Sequence, residues 1–210
     1  MSITTDAPAR FPSAEVGAGP HPTHFPPHTL ETAPAASRPA LAATQQALGF
    51  LPNMFAALGE SPVVLNAYGA LDAALGQGTF TPAERQLILT AASATNGCAY
   101  CSAAHSTFAA GLRATPDAVA AARGTGHAAD PRTEALVAFV HAVVRARGRV
   151  EHAVVDHFLA AGFTPAQAIE VVANVALKTV SNYVQGFADV PLDAALAPQR
   201  WEPNTVTAPV

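Results

Sequence analysis

Residues 81–106, TPAERQLILTAASATNGCAYCSAAHS, contain the clearest helix start of the chain and both of its cysteines. Thr81 is placed to cap a helix that begins at Pro82, and Glu84 stands at the third helical position, where its side chain completes a capping box. The Asn-Gly pair at 96–97 then predicts a break, because glycine is unfavourable inside a helix. We therefore predict two consecutive helices, with the cysteines near the start of the second.

Helical signals continue along most of the chain. Ala-rich stretches carry apolar residues at i, i+3 and i+4, a second cap of the same kind, TPAQ, stands at 164–167, and alternating β-branched runs bounded by hairpin turns are absent. About eight helices are predicted, at residues 35–48, 61–76, 82–95, 98–111, 116–123, 131–147, 151–161 and 165–187. Since Gly and Pro separate them, the predicted fold class is all-α.

The composition favours one domain that associates with further copies of itself. Half of the 210 residues are hydrophobic and 12% are charged, against about 25% charged in an average soluble protein. No stretch approaches the ~18 uninterrupted apolar residues of a membrane span, so another copy of the chain is expected to cover the apolar surface. We expect a Pro- and His-rich N-terminal arm over residues 1–28, a helical domain over 29–197 and a C-terminal tail over 198–210.

The charge pattern indicates neither a nucleic-acid nor a membrane partner. The net charge of -4 leaves no basic footprint, and the arginines at 145, 147 and 149 close a predicted helix, where cations complement the helix dipole. No secretory signal is visible, so a cytoplasmic location is expected. In that compartment two cysteines three apart are more often catalytic or metal-binding than a structural disulfide.

Cys98, Cys101 and His105 are predicted to share one face of a helix. At about 100° per residue, Cys101 falls about 60° from Cys98 around the axis and His105 about 20° from it. The first turn of a helix presents unpaired N–H groups and a partial positive charge, which favour thiolate, and a histidine one turn from Cys101 can accept its proton. This is the setting of a reactive cysteine, and the pair can close into a disulfide once one sulfur is oxidised.

Other interpretations of the motif stay open on the residues alone. A Cys-Cys-His zinc site would need a fourth ligand, for which the candidates are His127, His141, His152 and His157. A c-type haem is excluded in its usual form, because Ser102 and not histidine follows the second cysteine. The pair could also be two inert, buried cysteines beside a core histidine. A solvated Pro-rich segment is favoured over metal binding for the arm histidines, His21, His24 and His28.

The run ERQLILTAASATNGCAYCSAAHS, which starts at Glu84, resembles the signature of the AhpD-type alkylhydroperoxidases, within the carboxymuconolactone decarboxylase-like superfamily. Three further segments are similar to its peroxidase-related branch: HTLETAPAASRPAL, GFLPNMF and AGFTPAQAIEVVANVALKTVSNYVQGFADVPLD. The resemblance covers residues 28–195 and leaves out both ends of the chain.

The resemblance implies a compact all-α subunit, assembled into a trimer or hexamer, that reduces small organic hydroperoxides with thiols and without a metal or other cofactor. In that family the second motif cysteine attacks the peroxide, which here implies Cys101. Cys98 would resolve the sulfenic acid, and an external dithiol would reopen the disulfide. The family's histidine corresponds to His105. The helix dipole by itself would favour Cys98 as the thiolate, whereas the family and His105 together favour Cys101.

One position departs from the family pattern. The family's proton relay commonly begins with a glutamate twelve residues before the first motif cysteine, and that position is Gln86 here, which can hydrogen-bond but cannot carry a proton at neutral pH. Glu84 is the nearest carboxylate in sequence, yet its cap position already explains it, and it points about 160° away from Gln86. We expect a relay through Gln86 and a water, with Glu84 as the other candidate, or a weak peroxidase.

Two other functions are also considered. Lactone decarboxylation, the chemistry that names the superfamily, has no use for a cysteine pair. A non-enzymatic helical module would hold a structural metal or assemble with itself. Tyr100, between the two cysteines, is expected to pack against a neighbouring helix. Asn182 and Tyr183 in the last helix could support the site or lie in an interface, although ordinary packing is favoured for such a pair.

Overall fold

The computed structural model describes residues 25–203, and within them all regular structure is helical. The nine α-helices are α1 (Arg38–Leu48), α2 (Asn53–Leu58), α3 (Pro62–Leu75), α4 (Pro82–Thr95), α5 (Ala99–Gly111), α6 (Pro116–Ala122), α7 (Pro131–Arg145), α8 (His152–Ala160) and α9 (Pro165–Ala188). A 3-10 helix, Ala194–Gln199, follows. The all-α prediction is confirmed.

The eight predicted helices are all present, with bounds within three residues of those predicted. The structure adds α2, which has only six residues and no capping side chain, because Pro52 stands at its N-cap. Most of the predicted N-terminal arm, with His21 and His24, lies outside the described residues, as does the predicted tail from 204 onward.

Both capping boxes form as predicted. The Thr81 hydroxyl accepts from the Glu84 N–H, and the Glu84 carboxylate accepts in return from the Thr81 N–H at 2.9 Å. Thr164 and Gln167 repeat the arrangement at the start of α9. Because these caps fix where α4 and α9 begin, they also fix which side chains of the two helices face inward.

Two hydrophobic clusters form the interior, and α4 contributes to both. The first lies mainly among α4, α6, α7, α8 and α9, where the Phe158 ring stacks between Phe139 and Phe163 at centroid distances of 4.3 and 4.4 Å. The second gathers residues of α1 to α5, α9 and the C-terminal segment, and it contains both cysteines. The cysteine motif is therefore part of the protein interior.

The long helix α9 brings a polar stripe into this second cluster. Asn174, Lys178, Ser181 and Asn182 are all buried, and they recur at helical spacing on one face beside Leu177. Within residues 25–203 no single helix is both long and apolar enough to cross a membrane, although α8 and α9 together meet that length and composition across a 115° bend.

Candidate active site

The two cysteines lie at the junction of α4 and α5. Gly97 adopts φ +72°, a left-handed conformation that glycine tolerates without strain, and this turn places Cys98 at the N-cap of α5. The Cys98 sulfur accepts from the Cys101 N–H at 3.3 Å. No disulfide joins Cys98 and Cys101 in this structure, and the two residues are 4% and 2% exposed. The turn thus holds the two sulfurs together in a nearly water-free site.

The surroundings of Cys101 favour its thiolate. The Cys101 sulfur is 3.9 Å from the Ser181 hydroxyl oxygen. The hydrogen bond from Cys98 lowers the pKa of Cys101 to about 6, with help from the positive charge of Lys178 and against the effect of burial. The same hydrogen bond, now in the donor role, raises the pKa of Cys98, as does burial. The negative charge is therefore expected on the second sulfur.

His105 lies one turn further along α5 and is held by Gln86. Its Nδ1 is 2.9 Å from Gln86 Oε1, and because this oxygen can only accept, Nδ1 donates and Nε2 is left with its lone pair. Burial, together with the charges of Lys178 and Arg85, lowers the pKa of His105 well below its ordinary value, so the ring is neutral at pH 7. In the described part of the chain, no hydrogen bond joins His105 directly to a sulfur. A water would have to carry a proton between them.

Glu84 takes no part in this arrangement. One of its carboxylate oxygens accepts from the Thr81 N–H and hydroxyl, and the other lies 3.3 Å from an Arg132 nitrogen. These contacts satisfy both oxygens at the start of α4. The structure thus pairs Gln86 with His105, whereas the other predicted relay residue, Glu84, is bound at the helix cap.

Lys178 is the residue that the sequence patterns did not indicate. It is the only lysine among the 210 residues, and it is 2% exposed. Its Nζ donates to the Tyr68 hydroxyl at 3.2 Å, and that hydroxyl lies 3.5 Å from Ser181 Oγ. The available signal was its spacing, four residues after Asn174 and three before Ser181, which places it on the inward face of α9.

Of the three residues considered near the motif and in the last helix, Tyr100 and Asn182 are buried and Tyr183 is exposed. Asn182 is buried, donates to Ser93 and accepts from Asn96. The Tyr100 hydroxyl donates to Asp193 and accepts from the Met54 N–H at 3.2 Å, which ties the start of α5 to α2 and to the C-terminal segment. Tyr183, by contrast, is 65% exposed, so of the roles considered for it the interface is the one that its position allows.

The zinc interpretation has no ligand set within residues 25–203, where no three His, Cys, Asp or Glu side chains come together as metal ligands would. Two of the candidate histidines have other partners. His127 lies 2.9 Å from the Glu134 carboxylate, and buried His141 contacts Thr95 and the Ala121 carbonyl.

Residues 62–129, which include α3 to α6 and both cysteines, match the model of the carboxymuconolactone decarboxylase family. Comparison with curated proteins found no match. Among solved structures, the chain is similar to a peroxidase-related protein with an alkylhydroperoxidase AhpD core from Ralstonia eutropha JMP134. The two are 27% identical with a TM-score of 0.74, over 84% of this chain and 96% of that one.

Two further solved structures share the fold at lower identity. The debrominase Bmp8 is 23% identical with a TM-score of 0.71, over 84% of this chain and 96% of its own, and a Cys→Ala variant of it has been solved with 2,3,4-tribromopyrrole. A peroxidase-related protein from Silicibacter sp. TM1040 is 21% identical with a TM-score of 0.68, over 85% of this chain and 96% of its own. These two likenesses show the fold alone.

Proposed function

Because the chain belongs to the AhpD/carboxymuconolactone decarboxylase-like superfamily, we propose that it is a thiol-dependent peroxidase for small organic hydroperoxides. The observation that carries this proposal is the hydrogen-bonded cysteine pair at the start of α5. The Cys98 hydrogen bond and the charge of Lys178 lower the pKa of Cys101, so the thiolate is favoured on this sulfur. The thiolate is the form that attacks a peroxide oxygen.

The first step is the attack of Cys101 on the peroxide. Its thiolate sulfur takes the terminal oxygen of ROOH, the O–O bond breaks, and the leaving alkoxide takes up a proton to give ROH. The sulfur becomes a sulfenic acid, so the peroxide gains the two electrons that the sulfur loses. Cys101 suits this step because Ser181 and Lys178 stabilise its negative charge.

The second step closes the disulfide. The Cys98 thiol loses its proton and attacks the sulfenic sulfur, which releases water and forms the Cys98–Cys101 bond. After the first step no Cys101 thiolate remains to accept a hydrogen bond from Cys98, but burial still raises the pKa of Cys98, so this thiol needs a base. The neutral ring of His105, with Nε2 free, is that base through one water. A dithiol donor then exchanges with the disulfide and restores both thiols, as expected in a reducing compartment such as the cytoplasm.

The burial of both sulfurs restricts the substrate. His105 is only partly buried, so the side of the site that it shares with Gln86 is the open one. The Phe108 ring lies 6.2 Å from the His105 ring and makes this side apolar. A small hydroperoxide with a hydrocarbon group therefore fits the entry better than a large polar one.

Turnover of cumene hydroperoxide with a dithiol donor tests the proposed function. We expect peroxide consumption that depends on the donor and stops after the cysteines are alkylated. Cysteine-independent decarboxylation of a muconolactone, with no peroxide consumption, would instead favour the lactone decarboxylase.

Replacing Gln86 by glutamate is predicted to increase peroxidase activity. His105 Nδ1–H now donates to Gln86 Oε1 at 2.9 Å, and it would donate to a carboxylate oxygen at the same position. The negative charge of that carboxylate would make the imidazole ring a stronger base. We expect a gain in kcat on the order of tenfold, since general bases contribute about 10²–10⁴ in all. The matched control is Glu84→Gln, which keeps a capping-box side chain, as Gln167 does in α9, and removes only the carboxylate charge; it should leave kcat unchanged. An unchanged Gln86→Glu rate would remove position 86 from the proton path.

The outer face of α9 supports the proposal that the protein is a homo-oligomer. Six exposed, mostly apolar residues of this face follow one another at intervals of three or four, which is the spacing of residues that pack between two helices: Ile169, Val172, Ala176, Val180, Tyr183 and Phe187. Monomeric proteins seldom expose such a continuous stripe, and this spacing lets a second helix pack along it. We therefore propose that a second copy of the chain covers α9.

A charge on this stripe is predicted to dissociate the oligomer. Ile169 is 72% exposed, and Ile169→Glu would place an unpaired carboxylate in the buried interface. Light scattering after size exclusion should show a mass close to one subunit. Leu112→Glu is the control, because Leu112 is also exposed but lies at the end of α5. Equal masses for the two variants would exclude α9 as the interface.

A further inference from the structure

Lys178 carries a positive charge inside the protein, and the only hydrogen bond of its Nζ in the described part of the chain is to the Tyr68 hydroxyl. A buried ammonium is strongly unfavourable unless a negative charge accompanies it. None of the ion pairs within residues 25–203 includes Lys178, and no carboxylate bonds to it. Its counter-ion must therefore be a group that is usually neutral.

The cysteine pair provides that group. Burial by itself would lower the pKa of Lys178, but the negative charge of Cys101 and the Tyr68 oxygen outweigh burial and raise it. Lys178 in turn helps to lower the pKa of Cys101. The lysine and the second cysteine therefore stabilise each other's charged form.

A chain of hydrogen bonds also connects the two residues. Lys178 Nζ donates to the Tyr68 hydroxyl, which is 3.5 Å from Ser181 Oγ, and Ser181 Oγ is 3.9 Å from the Cys101 sulfur. The Tyr68 hydroxyl donates to Ser181 Oγ, whose own hydrogen points to the Lys178 carbonyl oxygen at 3.3 Å. When the Ser181 hydroxyl rotates toward the Cys101 sulfur, a proton can pass from the ammonium through the two hydroxyls to the site of the thiolate. This chain reaches Cys101 from α3 and α9, whereas Gln86 and His105 lie on α4 and α5.

We propose that Lys178 is the counter-ion of the Cys101 thiolate and, through Tyr68 and Ser181, the source of the proton that the reduced peroxide takes up. The proton-source role rests on the proposed peroxidase function, whereas the ion pair does not. Lys178 is a positioning residue here, since it acts through the two hydroxyl groups.

Reduction of the peroxide by Cys101, with Lys178 as the proton source, needs no further reactant. The thiolate, the ammonium and ROOH give the Cys101 sulfenic acid, neutral Lys178 and ROH, so the sulfur loses two electrons and the peroxide gains them with one proton. Disulfide formation then releases water. A dithiol donor then reduces the Cys98–Cys101 disulfide and is itself oxidised to a disulfide. Its two protons go to the Cys98 thiol and to Lys178, so Cys101 is again a thiolate. The buried site is electrically neutral before and after each step.

Other titratable groups face the same site and must be considered. Tyr68 comes from α3, Cys98 and His105 from α5, and Arg85 of α4 acts on His105. Arg85 is paired with Asp72 at 2.6 Å. The neutral state of His105 leaves Lys178 as the cation that acts on Cys101.

The thiolate titration of Cys101 tests the ion pair. In a Cys98→Ser background, so that one thiol remains, the ultraviolet thiolate absorbance is followed against pH. Lys178→Met, which keeps the length of the side chain without its charge, should raise the midpoint by about 1–3 pH units. Lys178→Arg should restore most of the shift, because it restores the charge. A midpoint that Lys178→Met leaves unchanged would overturn the proposal, whatever its effect on melting temperature.

A second measurement needs no substitution of the lysine. Because the chain has one lysine, protein grown with Nζ-¹⁵N lysine gives a single side-chain amine resonance. Nζ should stay protonated far into the alkaline range in the reduced protein, and its pKa should fall below the ordinary lysine value after diamide closes the disulfide, because burial remains and the counter-ion is gone. The same titration in both redox states would refute the pair. Diamide is not a peroxide, so a failed peroxidase assay with a redox-dependent Nζ would reject the proposed function and keep the ion pair.

Discussion

Cys101→Ser is expected to abolish hydroperoxide reduction, with a loss on the order of 10³-fold or more, as when other enzymes lose their nucleophile. A serine hydroxyl is not ionised at neutral pH, whereas the Cys101 thiol has a pKa of about 6. The same substitution also deprives Lys178 of its counter-ion. Steady-state consumption of cumene hydroperoxide with a dithiol donor measures the effect.

The matched control is Cys98→Ser, which keeps the attacking sulfur and removes the resolving one. This variant should consume about one equivalent of peroxide in a single burst, since Cys101 still attacks. Its sulfenic acid should then accumulate and react with dimedone. Peroxide turnover that persists in Cys101→Ser, or a burst that requires Cys98, would reverse the assignment of the two sulfurs.

His105→Gln is expected to slow disulfide formation by about 10²-fold, because it removes the base that takes the Cys98 proton. The attack on peroxide should change little, since the groups that favour the Cys101 thiolate are Cys98, Lys178 and Ser181 and not His105. Rapid-quench mass analysis separates the two steps: sulfenic acid should form at the wild-type rate and disappear slowly. Glutamine keeps a hydrogen-bond donor for Gln86 and carries no basic nitrogen.

The pH dependence provides the control for this variant. A more alkaline solution should partly restore disulfide formation in His105→Gln, because hydroxide then takes the Cys98 proton. A variant that slows sulfenic acid formation instead would show that His105 acts on the peroxide or on Cys101. Loss of both steps together with a lower melting temperature would indicate damage to the fold.

The helix order was predictable because caps and breaks are local. The Thr81–Glu84 and Thr164–Gln167 boxes satisfy backbone groups within four residues, so the sequence specifies where α4 and α9 begin without reference to tertiary contacts. Helix α2 was not predicted, because its six residues contain no such cap and are stabilised by burial of Met54 and Leu58. Its N-terminus depends on Asp193, which is distant in sequence and accepts from the Asn53 N–H.

The cysteine motif was predictable for the same reason, whereas Lys178 was not. Cys101 and His105 lie within one helix, where spacing sets their faces, and Cys98 is the N-cap of the same helix. Helix α9 has apolar residues on both sides, so periodicity does not decide that Lys178 points inward and Tyr183 outward. Lysines are very rarely buried, so the general rule by itself would place Lys178 at the surface. Only the packing of α9 against α3 and α5 shows where it lies.

The capping rule also distinguishes Glu84 from Gln86, the two candidates for the proton relay. The capping box explains why the carboxylate nearest in sequence is held by Thr81 and Arg132. Gln86 faces the motif because it lies two residues further along α4, on another side of the helix. The hydrogen bond between Gln86 and His105 Nδ1 forms only because α4 and α5 pack side by side. The spacing of residues within either helix does not predict that packing.

Mass analysis of the native protein before and after one equivalent of hydroperoxide is the most direct test of the proposed chemistry. We predict the loss of two hydrogen masses, confined to the peptide that carries Cys98 and Cys101, and its reversal by a dithiol. An unchanged mass, or oxidation at other residues while both thiols stay reduced, would show that this helical turn is not a peroxide-reducing site.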